Sequence, residues 1–320
     1  MNHKNQAREI EAGAATSSRR HALAVMLGAL GWLPGALAAA ETGKTVRLAI
    51  SDSLVSDVNI NDARAAMTIW LKRVSVDLKV VVDFSSKVFD TAEDIVRRAR
   101  SGQFDVVALN VVEYRQIAET LDPTQIVSET GAAALEEYLL LVKRNKGIQH
   151  LGDLRGRRLL TLKGPRMGLA TPWLSNVLDE GRFGQTEQFF DSVIVETKAS
   201  RVVLPLFFGQ ADAGLTSKRS FDMMCELNPQ VGKELITIAG SPPMIPWVFA
   251  FRKNYHDLSQ ASFAKVYSNL HTSVSGRQLS TLFQIGELTV RDISCLASAL
   301  SVLDAADRAR ARRGAGTRKG

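Results

Sequence analysis

Short, nearly unbroken apolar runs alternate along this chain with longer segments whose apolar positions recur every three or four residues. The first run, Thr45–Ile50, predicts a strand. Ile60–Val74, with Ala65, Ala66, Ile69, Trp70 and Val74 at helical spacings, predicts a helix. Leu78–Phe84 is a second strand. Thr91-Ala92-Glu93-Asp94 resembles a capping box that opens a helix over Thr91–Ser101, which Gly102 stops. Phe104–Leu109 is almost wholly apolar, as expected of a strand covered on both faces in a sheet flanked by helices. Strand, helix, strand, helix, strand is the grammar of an α/β layer with right-handed crossovers.

The grammar then repeats. Glu137–Lys143 is a strand, and it leads into strands at Arg158–Leu162, Ser192–Val195 and Ala211–Leu215 with helices at Ala170–Leu178 and Ser200–Phe208. Three prolines in Ser241–Pro246 exclude both helix and interior strand and end that series. Trp247–Phe251 is a further strand. Helices are expected at Ser259–Thr272 and Gly276–Phe283, with a last one from Thr289 to about Arg310, and the Arg- and Gly-rich tail at 306–320 is expected to be disordered. Two strands, Glu137–Lys143 and Trp247–Phe251, bracket the second series and are expected to cross between two lobes.

A chain of 320 residues with 45% apolar side chains has room for two ordinary cores. The net charge of +7 belongs to the ends: residues 1–40 contribute +2, residues 306–320 contribute +5, and the body between is neutral. A nucleic-acid surface on the folded part is therefore unsupported. Residues 1–40 read as an export leader. Arg19 and Arg20 follow Ser18, the apolar run Ala22–Ala40 is softened by Gly28, Gly31 and Gly35, and Leu37-Ala38-Ala39-Ala40 is an A-x-A-like cleavage site. The pattern resembles a twin-arginine signal, with a general secretory signal as the alternative. No later stretch is long and apolar enough to span a bilayer. The mature chain is expected to be a periplasmic monomer that touches the membrane only through a partner. Cys225 and Cys295 could pair in that compartment or remain free thiols.

Candidate site residues fall at the C-terminal ends of the strands, where open α/β sheets expose their ligand crevice. Lys163, Arg166 and the amides around Gly168 sit where a strand meets a helix, a natural place for an anion, or merely a solvated basic turn. Asn110 and Tyr114 follow the Phe104–Leu109 strand, although Tyr114 also fits plain helix packing. Ser51 and Ser53 follow the first strand, where a simple polar turn is the competing reading. Thr216, Ser217 and Arg219 follow the Ala211–Leu215 strand, where a helix N-cap is the competing reading. Trp247 is placed to stack on an organic ligand or to pack at the hinge. Binding a micromolar solute needs about 8 kcal/mol, and three charge-assisted hydrogen bonds at roughly 1.5–3 kcal/mol each supply much of it.

The pieces FDVVALNVVEY, YLLLVKRNKGIQHLGDLRGRRLL, GLATPWL, GQADAG and SPPMIPWVFAFRKN, in this order from Thr45 to about Glu287, resemble the type II periplasmic solute-binding proteins, in particular the phosphonate-binding branch that serves ABC transporters. The resemblance implies an α/β fold of two lobes, each a mixed, mostly parallel sheet flanked by helices and joined by two hinge strands. Lobe one would be 44–138 plus 250–305 and lobe two 139–249, closing on a solute held between them. It also implies a departure. Phosphonate-binding relatives carry Ser/Thr hydroxyls just before the glycine that opens the lobe-two helix, where this chain has Pro165-Arg166-Met167-Gly168. A position where relatives often have His holds Lys198. A different organic anion, a sulfonate or carboxylate, is thereby admitted beside a phosphonate.

Signatures of catalysis are missing. His3, His21, His150, His256 and His271 show no metal-ligand spacing, and there is no G-x-S-x-G, H-E-x-x-H, P-loop or G-x-G-x-x-G. Glu136 and Glu137 alternate across a strand and would not share a proton path. The expected function is capture of a small, anionic organic ligand for an ABC permease, with no cofactor or metal. A sensing subunit for a membrane receptor, an accessory to a periplasmic enzyme and an enzyme on the same scaffold are the alternatives.

Overall fold

The computed structural model describes residues 44–84, 89–269 and 272–317, and the expected leader at 1–40 lies outside them. Strand β1 (Thr45–Ile50) leads through a 3-10 turn at Asp52–Val55 into helix α1 (Ile60–Leu78). Asn59 opens α1 by accepting from the amides of Asn61 and Asp62, and Lys79 ends it at φ 53°. The buried face is Ala63, Met67, Trp70, Leu71 and Val74, whereas Ala65 and Ile69 are exposed. The helix is thus turned from the expected face, because covering Met67 and Leu71 removes more apolar surface than covering alanines.

Strand β2 (Val81–Phe84), helix α2 (Ala92–Arg100), strand β3 (Val106–Asn110), helix α3 (Val111–Ile117) and strand β4 (Gln125–Glu129) complete the first series. Thr91 caps α2 by accepting from the Asp94 amide, and every residue of β3 is buried. The second series runs through β5 (Tyr138–Lys143), β6 (Arg158–Leu162), α4 (Ala170–Glu180), α5 (Thr186–Phe189), β7 (Ser192–Glu196), α6 (Ala199–Phe207), β8 (Ala213–Ser217), α7 (Lys218–Leu227), α8 (Pro229–Glu234) and β9 (Leu235–Gly240). The chain then returns through β10 (Trp247–Phe251), α9 (Gln260–Ser268), α10 (Val274–Phe283), β11 (Leu288–Asp292) and α11 (Ala297–Thr317).

These strands form two sheets, β11-β4-β10-β3-β1-β2 and β7-β6-β8-β5-β9. Parallel pairing is confined to β1 with β2 and β3, and to β6 with β7 and β8. Strand β10 joins the first sheet antiparallel to β3 and β4, and β5 joins the second antiparallel to β8 and β9. The sheets are mixed, with a larger antiparallel share than the βαβ grammar suggests. Strand β5 lies wholly in the second sheet and β10 wholly in the first. The crossing falls just before each, where Glu136 and Met244 exchange backbone hydrogen bonds of 2.8 and 2.9 Å. The prolines of Ser241–Pro246 keep this passage out of either sheet. On this side one apolar cluster continues from Leu109 and Ile126 through Tyr138, Met244 and Ile245 to Leu159 and Trp173, so the halves share a core at the hinge.

Two expectations about the C-terminal part are corrected. Thr289–Asp292 is not helical but lies in β11, which pairs antiparallel with β4 from Leu288↔Glu129 to Asp292↔Gln125. The open edge of β4 and the alternation Leu288-Thr289-Val290 favour the strand. The basic stretch expected to be disordered continues α11 as far as Thr317. Ala306 and Ala309 are buried, and Arg312 pairs with Asp179 of α4. Alanine and arginine are strong helix formers, and here the alanines also find a surface to pack on. Asn176 of α4 donates to the Val302 carbonyl at 2.8 Å, while Arg115 of α3 pairs with Asp304 and Asp307, so α11 fastens both halves. Cys225 and Cys295 are both free thiols. No helix among the described residues is long and apolar enough to cross a membrane.

Candidate functional site

Away from the hinge the halves part. The C-terminal ends of β1 and β3 on one side and of β6 and β8 on the other open onto two adjoining cavities, which share Lys163, Gly164, Pro165 and Met167 of the β6–α4 loop. The larger, about 690 Å³, lies between Ser53 and Asn110 of the first lobe and Thr161, Lys163, Gly168 and Thr171 of the second. The smaller, about 210 Å³, continues past the loop to Glu136, Ser217 and Arg219.

The first-lobe wall is organised by a carboxylate. Asn110 caps α3, accepting from the Glu113 amide at 3.0 Å, while Glu113 reaches back to accept from the Asn110 amide at 3.1 Å. The same carboxylate accepts from Ser51 Oγ at 2.8 Å and Ser53 Oγ at 3.2 Å, and Asn110 Nδ2 donates to Ser53 Oγ at 3.0 Å. Burial pushes the Glu113 carboxyl above its ordinary range, although the bonds from Ser51, Asn110 and Ser53 oppose that shift. Asp52, beside it, is raised by burial and by the charge of Glu93.

On the second-lobe side, Tyr138 Oη donates to the Arg166 carbonyl at 2.7 Å and so fixes the β6–α4 loop. Arg166 reaches across to Glu129 of β4, and its other terminal nitrogen is 3.8 Å from Glu136. Arg219 Nε is 3.7 Å from the same Glu136 oxygen. Glu129 and Glu136 are each 2% exposed at the side chain, so two buried acids take up both guanidinium charges. Burial raises the Glu136 carboxyl, and the charges of Arg166 and Arg219 partly offset this. Glu129 also accepts from the Gly286 amide at 2.8 Å. Lys163 is exposed and, among the described residues, forms no ion pair. No side chain caps the N-terminus of α4 beside it.

The sequence-expected residues separate accordingly. Ser53, Asn110, Lys163 and Gly168 line the larger cavity, and Lys163, Arg166, Ser217 and Arg219 line the smaller. Gly168 lies so near Asn110 that a Cβ there would be 3.6 Å from Asn110 Cγ. Ser51 and Thr216 are wholly buried behind the surface. Ser217 caps α7, accepting from the Ser220 amide at 3.2 Å, and still faces the cavity. Tyr114 is not brought to the cleft: α3 turns its ring into the shared core, where it is 4% exposed. Lys198 is exposed at the start of α6 and lines neither cavity, though Thr197 and Ala199 beside it do line the smaller one. Sequence reasoning missed Glu113 and Glu129, and it considered Glu136 only to set it aside as a catalytic acid. The spacing Asn110-x-x-Glu113 carried a signal for the first, and nothing local marked the other two. Among the described residues no cluster of His, Cys, Asp and Glu could hold a metal ion.

A family model described as ABC transporter, phosphonate, periplasmic substrate-binding protein matches residues 54–292. The chain belongs to this family. Members of the phosphonate-binding family are transport components, and the role of this chain is solute binding. Solved structures share the fold. A binding protein component of an ABC phosphonate transporter from Pseudomonas aeruginosa is 12% identical, over 84% of this chain and 88% of that one, with a TM-score of 0.54. PhnD1 from Prochlorococcus marinus, in complex with methylphosphonate, is 14% identical over 81% and 97%, at 0.54. A Xanthomonas citri protein bound to chloride ion is 13% identical over 84% and 99%, at 0.57. No curated protein matches the sequence.

Proposed function

We propose that this member of the phosphonate-binding family is exported by a twin-arginine-type leader cleaved near Ala40, works as a periplasmic monomer, and binds one small organic anion in the cleft for delivery to an ABC permease. The observation that carries the reading is Lys163. Arg166 and Arg219 are matched by buried carboxylates, so Lys163 is the cavity-lining cation left without an ion pair among the described residues. The uncapped end of α4 supports it, because first-turn amides and the helix dipole favour negative charge there. Ser53, Asn110, Ser217 and the backbone at Gly168 would supply the remaining hydrogen bonds, with Ser51 and Thr216 backing them. Arg166 and Arg219 act chiefly by positioning the loop and the wall. A phosphonate, sulfonate or carboxylate satisfies this arrangement.

A thermal-shift screen of the mature chain against phosphonates, sulfonates, carboxylates and phosphate tests this. A bound anion at a hundred times its Kd stabilises by about 2.7 kcal/mol, which shifts Tm by roughly 5 °C in a chain of this size. Stabilisation by a cation or a neutral sugar, with none from any anion, would overturn the reading.

A further inference from the structure

We propose that the first lobe contains an apolar subsite for the hydrocarbon part of the ligand, so that the solute is an alkyl-bearing anion rather than an inorganic one. This rests on the cleft being the binding site proposed above. Between the first sheet and its helices α1, α9 and α10 lies a chamber of about 50 Å³. Its walls include Ile50, Ala108, Phe249, Met67, Leu279 and Trp247. Trp247 and Phe249 stand edge to face with centroids 5.5 Å apart, and Phe249 meets Tyr267 at 4.7 Å, so the aromatic wall is rigid.

The chamber shares part of its wall with the cleft. Leu54, Pro165 and Arg166 line both the chamber and the smaller cavity, and Val55 lines both the chamber and the larger one. Pro165 and Arg166 come from the second lobe, so the lip of the chamber is the same loop that presents Lys163. An anion at Lys163 would thus place its substituent against Leu54 and Pro165, with the chamber beyond. Its volume exceeds the roughly 30 Å³ share of a water molecule and is about a third of a 150 Å³ apolar cavity that admits benzene. It suits an ethyl or propyl group. Among the described residues that line it, only Arg166 is charged, and that charge is already held by Glu129 and Glu136. A water there would find few partners, whereas a hydrocarbon would not need them.

Titration calorimetry of the mature chain with methyl-, ethyl-, n-propyl- and n-butylphosphonate, and in parallel with the n-alcohols bearing the same tails, tests the subsite. Affinity is expected to rise about fourfold per methylene from methyl to propyl, the equivalent of ~0.8 kcal/mol each, and to fall at butyl. Ala108→Val, which fills the chamber, should abolish the ethyl-to-methyl ratio, and Leu279→Ala should move the optimum to a longer chain. A flat or falling phosphonate series in the wild type overturns the subsite while leaving anion binding intact. So does a rising series that Ala108→Val does not alter. Alcohols binding in order of tail length without any phosphonate would overturn the anion reading and keep the chamber, and binding of neither series would overturn both.

Discussion

Arg166, in the loop between β6 and α4, is paired with Glu129, the last residue of β4 in the opposite lobe. The pair spans the cleft with 13% of one side chain and 2% of the other exposed, and Glu136 stands behind it at 3.8 Å. An arginine that looks in the sequence like the anion's partner is already held by acids of the protein. The pair therefore fastens the loop to the first lobe, and Lys163 on the same loop is left facing the cavity.

Removing one member of this pair leaves a buried charge uncompensated. Arg166→Met is expected to lower stability by about 3 kcal/mol, measured by urea unfolding, whereas Arg166→Met combined with Glu129→Gln should recover most of that loss. Glutamine still accepts from the Gly286 amide, which makes the double variant a fair control. Equal losses in the single and double variants would show that the pair is not what holds the loop.

Anion affinity should depend on pH through Glu113. Ionised Glu113 takes the hydroxyl protons of Ser51 and Ser53 for itself, and its charge, with that of Asp52, opposes an anion nearby. Once protonated it releases Ser53 to donate toward the cavity. Because burial raises this carboxyl, the window lies above the ordinary carboxylate range. Affinity is expected to increase as pH falls through that window, and Glu113→Gln should flatten the profile. Stability follows the same sign: the folded state binds this proton more tightly than the unfolded one, so the Glu113 contribution is full at low pH and declines as pH rises through the window.

Asp105 has the opposite sign. Buried at the start of β3, it accepts from Arg47 N, Nε and Nη2 at 3.0, 2.9 and 2.7 Å and from Arg252 Nη2 at 3.2 Å, joining β1 to the end of β10. Burial alone would raise its carboxyl, but the bonds and charges of Arg47 and Arg252 outweigh burial and hold it below the ordinary value. Its stabilisation is present above the unfolded range near about pH 4 and is lost as pH falls through the lowered value. Asp105→Asn should cost about 1.5–3 kcal/mol at neutral pH and flatten the acid limb of the stability curve.

Gly168 sets the gap between the lobes. An alanine there meets Asn110 at ordinary contact distance, so Gly168→Ala should fold with Tm unchanged to within a degree or two. Gly168→Leu should instead press on Asn110, hold the cleft open and weaken ligand binding at least tenfold, which calorimetry would show.

The parts of this molecule that the sequence disclosed are those with local causes. Strand β3 reads plainly because both its faces are buried, and Thr91 announces α2 because a cap is a property of four neighbouring residues. Strands β4, β9 and β11 escaped because each owes its conformation to a partner far along the chain, as Thr289 and Val290 do to Ser128 and Val127. The site divides in the same way. The loop ends at Ser53, Asn110 and Lys163 were legible from strand positions, whereas Glu129 stands 37 residues from Arg166, and no local pattern announces that encounter. The partnership reverses what the arginine is available to do, and only packing reveals it.

Whether Lys163 holds the anion is decided by calorimetric titration of the wild type and Lys163→Met with methylphosphonate and methanesulfonate. One site per chain is expected in the wild type and at least a tenfold loss in the variant, about 1.4 kcal/mol, with unfolding of the free protein unchanged. Wild-type and variant affinities that agree within error, or no binding of any anion by the wild type, would contradict that role.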